Sequence, residues 1–220
     1  YYTGNLETAD GRPFGFQFTI FRRALTPTLD LADSAWRSNQ LYFAHFTISD
    51  VANEAFYPHE RFSRGAAGLA GAQAVPYRVW IEDWSVTEVA PGEVRLQAAA
   101  DDVALDLLLT ETLPPVLHGD GGLSRKGASP GNASYYYSIV QQQAVGTVRL
   151  PGETVDVTGL AWKDHEYSTS VLEGDAVGWD WFSLQLDDGS ALMFFHIRNA
   201  DGTLDDFSSG SFIATDGTVT

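Results

Sequence analysis

Polar and apolar residues alternate one by one along most of this chain. In "FGFQFTIF" (14–21), Phe14, Phe16, Phe18 and Ile20 fall on one side of an extended segment, because successive side chains of a strand point to opposite faces. The same period runs through "LYFAHFTIS" (41–49), "RVWIEDWSV" (78–86), "EVRLQA" (93–98), "VALDLLL" (103–109), "SYYYSIVQ" (134–141) and "TVRL" (147–150). It continues in "VDVTGLAWKDHEY" (155–167), "WDWFSLQL" (179–186) and "ALMFFHIR" (191–198). Turn pairs such as Asp10-Gly11, Pro91-Gly92, Pro151-Gly152 and Asp188-Gly189 punctuate the segments. No long stripe of 3.6-residue period interrupts them. The pattern predicts an all-β chain folded as an antiparallel barrel or sandwich. The one weak stretch is "FYPHERFSRGAAGLAGAQAVP" (56–76), rich in Gly and Ala, which reads as a loop or a short helix near a barrel mouth.

A chain of 220 residues with 44% hydrophobic and 19% charged residues can bury a core and is not of disordered composition. Asp and Glu number 29 against 13 Lys and Arg, a net charge of −16. Such a chain repels phosphate, so nucleic acid and anionic membrane surfaces are disfavoured partners. No apolar run reaches the length of a membrane-spanning helix. The absence of Cys excludes disulfides, thiolate catalysis and Cys-based zinc sites. Both ends, "YYTGNL" and "FIATDGTVT", interrupt a strand-like pattern. The expectation is a fragment of a longer chain from which any signal peptide has been lost. An aromatic strand, an acidic-Gly turn, a Phe-rich strand and an Arg occur in that order from Tyr1 and again from Trp181, a weak internal repeat. It predicts a first domain over 1–175 and the start of a second, incomplete domain at 176–220.

The densest chemistry lies in "AWKDHEYSTS" (161–170). As a strand, it puts Leu160, Trp162, Asp164 and Glu166 on one face and Ala161, Lys163, His165 and Tyr167 on the other. Two carboxylates at i and i+2 lie roughly 7 Å apart. If that face is buried, desolvation and repulsion raise at least one pKa, which suits general acid–base work. A solvated strand end is the alternative. A metal site is the weakest reading, since Asp-His-Glu lacks the helical His spacing of zinc enzymes.

The hairpin 179–198 carries the second candidate. A two-residue Asp188-Gly189 turn would set Trp181 opposite His196 and Asp180 opposite Ile197. Asp180 is then the one charge on a face of Phe182, Leu184, Leu186, Met193, Phe195 and Ile197, and must find a partner or keep its proton. His45, beside Phe43 and Thr47, is a core residue or a cavity-lining donor. His59, with Glu60, Arg61 and Arg64, reads as a local ion-pair cluster. Trp80 and Trp84 flank Glu82 on one strand face. "GDGGLSRKG" (119–127) lacks the order of a phosphate-binding loop, and no G-x-S-x-G occurs.

Together, "YYTGNL", "GFQFTIFRRAL", "LYFAHFTISD", "ERFSRGAAGLAG", "RVWIEDW", "GDGGLSRKG", "GNASYYYS", "GLAWKDHEYSTS" and "GWDWFSLQLDDGSALMFFHIR" resemble the AttH/CrtC family, over nearly the whole chain. That family holds carotenoid 1,2-hydratase-like proteins and chains classed as secreted hydrolases. The resemblance implies tandem lipocalin- or streptavidin-like barrels, the second truncated here, and a periplasmic or secreted location. It also implies hydration of a terminal isoprenoid double bond without any cofactor or metal, and a hydrophobic small molecule as substrate. Trp162, Asp164, His165, Glu166, Trp179, Asp180 and Trp181 match the family's polar motifs. The expected mechanism has Asp180 or Asp164 protonate the alkene. The rings of Trp162, Tyr167, Trp179 or Trp181 shield the cation, and His165 or Glu166 activates water. His45 is a further candidate for substrate binding. The alternatives are a periplasmic or extracellular module that binds a hydrophobic ligand without catalysis, and a secreted hydrolase.

Overall fold

Alternation becomes strand nearly everywhere. The computed structural model describes residues 1–28, 34–169 and 172–220, and among them it is all-β, with no helix. Hence no helix among these residues is long and apolar enough to cross a membrane. In chain order the first strands are β1 (Tyr2–Glu7), β2 (Pro13–Ala24), β3 (Gln40–Asp50), β4 (Ala55–Arg64), β5 (Ala70–Gln73), β6 (Arg78–Ile81), β7 (Trp84–Ala90), β8 (Glu93–Ala100) and β9 (Val103–Glu111). Then come β10 (Val116–Leu117), β11 (Leu123–Arg125), β12 (Ala133–Leu150), β13 (Glu153–Ser168), β14 (Ala176–Gln185), β15 (Ala191–Asn199) and β16 (Ser209–Ile213). Two compact units share them: residues 1–111 with 142–161, and residues 112–141 with 162–220. Both units are discontinuous in sequence, whereas the expectation drew a single boundary at 175/176.

The first unit is a nearly closed antiparallel barrel of lipocalin-like type. Its strands follow the order β4-β3-β2-β1-β13-β12-β9-β8-β7-β6-β5. The register sets Phe16 opposite Ile48 and Phe18 opposite Phe46, so the large residues of β2 and β3 enter one interior. Trp84 lies at its centre with no exposure. The edges of Phe18 and Phe46 meet its ring at 6.2 Å and 5.6 Å between centroids, and its indole N–H donates to the Ala99 carbonyl at 2.7 Å. Gly159 permits a close crossing of β13 and β1, since a Cβ there would strike the Asn5 carbonyl oxygen.

Three expectations change. Residues 56–76 are not a loop or helix: they hold β4 and β5. Tyr57, His59, Arg61 and Ser63 alternate inward there, with exposed residues between them. Inward Arg61 stacks over Trp84 at 4.3 Å and is ion-paired to Asp83, so its partner comes from the β6–β7 turn and not from the neighbouring Glu60. The stretch 78–86 is two strands broken at Glu82–Asp83, with Glu82 at φ 57, so Glu82 does not share a strand face with Trp80 and Trp84. Residues 134–150 form one strand, with no break at 142–146.

In the second unit, β14, β15 and β16 form their own antiparallel sheet. Ala191, Met193, Phe195 and Ile197 of β15 bury one side with Ile213 of β16. The hairpin register differs by one residue from the two-residue turn: Asp180 opposes His196, and Trp181 opposes Phe195. The loop is the three residues 187–189. The Leu186 amide bonds the Ser190 carbonyl at 2.9 Å, the Gly189 amide bonds the Leu186 carbonyl at 2.9 Å, and Gly189 takes φ 85. A slip of one residue exchanges faces. Phe182 and Leu184 therefore lie on the outer side, where Phe182 stacks on Phe194 at 4.5 Å.

Because Trp84 fills the barrel interior, Trp84→Ala should destabilise the protein by ~3–5 kcal/mol in urea unfolding. A loss below about 1 kcal/mol would mean the interior does not pack on this ring.

Candidate active site

Two strands supply the site by the same period that builds the barrel. Ser134, Tyr136 and Ser138 occupy alternate positions of β12, and Trp162, Asp164 and Glu166 alternate positions of β13. The two sets meet. Ser138 Oγ donates to Asp164 Oδ1, and the Tyr136 hydroxyl donates to Oδ2 at 3.0 Å. The indole of Trp162 donates to Oδ1 at 2.7 Å from two residues along the same strand. From β14, Trp181 Nε1 donates to the Tyr136 oxygen at 3.0 Å. Asp164 keeps some exposure as a residue, but its carboxyl group is ringed by these donors and aromatic planes. Burial pushes its pKa up, and the three hydrogen bonds pull it partly back. Burial, followed by the charge of Asp164, raises Tyr136 as well.

Behind Ser138 lies His118, 1% exposed. It follows β10, whose Val116 and Leu117 pair with Ser138 and Tyr137. Its amide donates to the Tyr136 carbonyl at 3.1 Å. The chain then reverses through Gly119 at φ 68, where a Cβ would strike the Leu123 carbonyl. The Gly-rich stretch is thus a turn that delivers His118 and returns β11 to β12. Nε2 of His118 lies 2.8 Å from Ser138 Oγ, and Nδ1 lies 3.0 Å from Ser211 Oγ of β16. Burial, aided by the positive charge of Lys126, pushes the imidazole pKa down to about 4, so His118 is neutral at pH 7.

The two acids of "WKDHE" differ in surroundings. Glu166 is exposed, accepts from Ser134 Oγ at 2.5 Å and pairs with Lys126 at 3.0 Å. The Lys126 ammonium also sits 3.8 Å over the ring of Phe195. One carboxyl is held by neutral donors out of water and the other is ion-paired at the rim. Burial therefore acts on Asp164 and not on the exposed Glu166.

Of the sequence candidates, Trp162, Asp164, Glu166 and Trp181 are therefore brought together. The remaining candidates are not. His165 and Tyr167 occupy the opposite, exposed face of β13, where His165 Nδ1 meets the Tyr137 hydroxyl at 2.8 Å and Tyr167 stacks on Tyr135. Asp180 lies on the outer side of the hairpin, ion-paired to Arg198 at 3.0 Å with both side chains 50% exposed. It is not the lone acid of an apolar face, because the three-residue loop moves it one register step. Trp179 is exposed. His45 belongs to the outer face of β3 in the first unit, against Phe21 and Phe43. Sequence reasoning passed over His118, Tyr136, Ser138 and Lys126. The alternation of Ser134, Tyr136 and Ser138 in "SYYYS" was the available signal for two of them. No cluster of three His, Asp or Glu side chains is placed to hold a metal among the described residues.

The AttH-like family model matches residues 1–220. A solved AttH structure from Nitrosomonas europaea is 36% identical and superposes at a TM-score of 0.84, over 100% of this chain and 65% of that one. Kievitone hydratase from Nectria haematococca superposes at 0.74 over 100% of this chain and 62% of its own, with 9% identity, a likeness of fold alone. The chain thus spans less than two thirds of either protein. No curated protein matches it in sequence. On the match over its whole length, the chain belongs to the AttH-like family.

Proposed function

We propose that this protein hydrates a carbon–carbon double bond of a hydrophobic small molecule, of isoprenoid or lipid type, by acid–base chemistry without a cofactor. The observation that carries the proposal is Asp164, a carboxyl group enclosed by Trp162, Tyr136 and Ser138 with its pKa raised by burial. An acid so placed keeps its proton where ordinary carboxylates have lost theirs, and can deliver it. The proton goes to the less substituted alkene carbon. The cation left on the other carbon faces the indoles of Trp162 and Trp181. Water adds to it, and Glu166 on the same strand face takes the proton that the water sheds; exchange with solvent reloads Asp164. His165, on the other face, has no part in this scheme. Kievitone hydratase, by its name a hydratase, lends the fold as support. We place the protein outside the cytoplasm, periplasmic or secreted, and read β14 to β16 as the start of a second lipocalin-like barrel.

Incubation with a prenylated phenol or an acyclic terpenoid in ¹⁸O-labelled water should yield an alcohol carrying the label, detected by mass spectrometry. Asp164→Asn should lower that rate by about 10³-fold. Equal labelling by the variant would remove Asp164 from the chemistry, and recovery of the compound bound but unchanged would identify a binding module.

The same variant has a second signature. A carboxyl whose folded pKa is raised favours folding only below its unfolded pKa of about 4, and that contribution is lost as pH rises toward the folded value. Asn mimics the protonated acid: its oxygen accepts from Trp162 and Ser138, and its amide reaches the Tyr136 oxygen. Asp164→Asn should therefore melt at a higher temperature than the wild type at pH 7, with the difference vanishing by about pH 4. A variant less stable at both pH values would contradict the raised pKa.

A further inference from the structure

His118 takes no part in the scheme above, although it is almost fully buried and both of its ring nitrogens are hydrogen-bonded. A count of donors and acceptors gives it a task. Asp164 Oδ1 receives the Trp162 indole, a group that can only donate. At 2.7 Å this bond favours the better acceptor, the carbonyl oxygen of the acid over its hydroxyl oxygen. Oδ1 is then the carbonyl oxygen, and Ser138 must spend its single hydrogen on it. The Ser138 oxygen is left as an acceptor toward His118, so the hydrogen of the neutral imidazole sits on Nε2. Nδ1 is then an acceptor, filled by the Ser211 hydroxyl. The column runs one way: Ser211 to His118 to Ser138 to Oδ1.

We propose that His118 is a positioning residue for Asp164: its Nε2–H holds the Ser138 hydroxyl as a donor to Oδ1 and confines the acid's proton to Oδ2, beside the Tyr136 hydroxyl. The inference rests on the reading of Asp164 as the acid. The Tyr136 hydroxyl donates to Oδ2 when Asp164 is charged; with the proton on Oδ2 the same contact runs the other way, and the tyrosine oxygen accepts from both Asp164 and Trp181. Its own hydrogen is then turned away from the carboxyl. The proton can pass in two linked moves: Tyr136 O–H to carbon as Oδ2–H goes to the tyrosine oxygen. Tyr136 is thereby restored and Asp164 is left as the carboxylate.

Within the second unit, Tyr136 of β12, Glu166 of β13 and Lys126 after β11 are titratable groups near this column, Lys126 pairs with Glu166, and β13 also buries Lys163, next to Asp164 in sequence. Against the burial that raises the pKa of Asp164, the positive charge of the N-terminal ammonium acts to lower it. The sides given by β14, β15 and β16 are Trp181, Phe195 and Ser211, which do not titrate in the working range. A protonated His118 would still donate from Nε2 to Ser138 and would donate from Nδ1 as well, so only the Ser211 bond would turn round. The ring is neutral at pH 7, and Ser211 then donates to Nδ1.

Two measurements test this on the full chain, and neither needs a substrate. Long-range ¹⁵N–¹H spectra of ¹⁵N-His protein, with the His118 signal assigned by its loss in His118→Gln, should show the Nε2–H tautomer at pH 7. The Nδ1–H tautomer would mean that the column runs the other way and would overturn the proposal. This reading uses the wild type, so it stands whether or not a variant folds. Infrared spectra should show an acid C=O band, assigned by its loss in Asp164→Asn, that outlasts ordinary carboxylates as pH rises. In Ser138→Ala and His118→Phe its titration midpoint should move up by about one unit, since the charged form loses a donor. His118→Gln, whose amide can still donate to Ser138, should stay near the wild type. A midpoint unmoved in His118→Phe overturns the role of His118 and leaves Asp164 as the acid. A wild type with no such band removes the acid itself, and this inference with it.

Discussion

A carboxyl group drawn out of water must be met by hydrogen-bond donors or give up its charge, and the second unit is organised around that demand at Asp164. The side chains that hydrogen-bond the carboxyl from β12 and β13 are neutral: an indole, a serine hydroxyl and a phenol. Lys126, a nearby cation, is tied to Glu166 instead. This distribution decides the chemistry. A lysine paired directly with Asp164 would favour the charged form and hold the pKa low. Neutral donors satisfy the oxygens and leave burial as the larger influence. The indole of Trp162 serves twice, as a donor to the carboxyl and as a buried aromatic wall beside it.

The two units use buried polar atoms differently. The first packs an aromatic interior in which Trp84 meets Phe18 and Phe46, with Arg61 lying over its ring. It also buries Thr19, Gln142 and Asp50, the last ion-paired to Arg12. The second buries His118, Ser124, Asn132, Ser134, Ser138, Lys163, Ser190 and Ser211. Buried hydroxyls cost stability unless each finds a partner, and several here are paired with one another around a single histidine and a single acid. Such a polar interior is directional, since each hydroxyl has one hydrogen to give. A scaffold that needs only stability has no use for direction, whereas a site that must present a proton on one chosen oxygen does.

Much of this was legible because strand geometry is a local property. The alternation in "GLAWKDHEY" placed Trp162, Asp164 and Glu166 together and His165 and Tyr167 apart, and the fold keeps that division. The all-β class followed from the same period. The errors arose where local pattern met choices that it does not determine. Asp188-Gly189 fits a two-residue turn or the last two positions of a three-residue loop. The latter prevails because Asp188 accepts from both the amide and the hydroxyl of Ser190. One residue of difference carried Asp180 from an apolar face to the solvent and Arg198. Residues 55–64 alternate with polar side chains turned inward, so their pattern looked like a loop until Asp83 and Trp84 supplied partners for Arg61.

His118 marks the limit of such reading. Its sequence neighbours are a pair of prolines, two aliphatic residues and a glycine turn, and none of them implies chemistry. Its role depends on Ser138, twenty residues on, and on Ser211, ninety-three residues on. Each is an ordinary serine within a strand. Only when β10, β12 and β16 are assembled do three unremarkable side chains become a column ending on Asp164. The acid could be found from one strand because carboxylates are conspicuous. The device that orients it is built from neutral groups on separate strands, and no local period records their meeting.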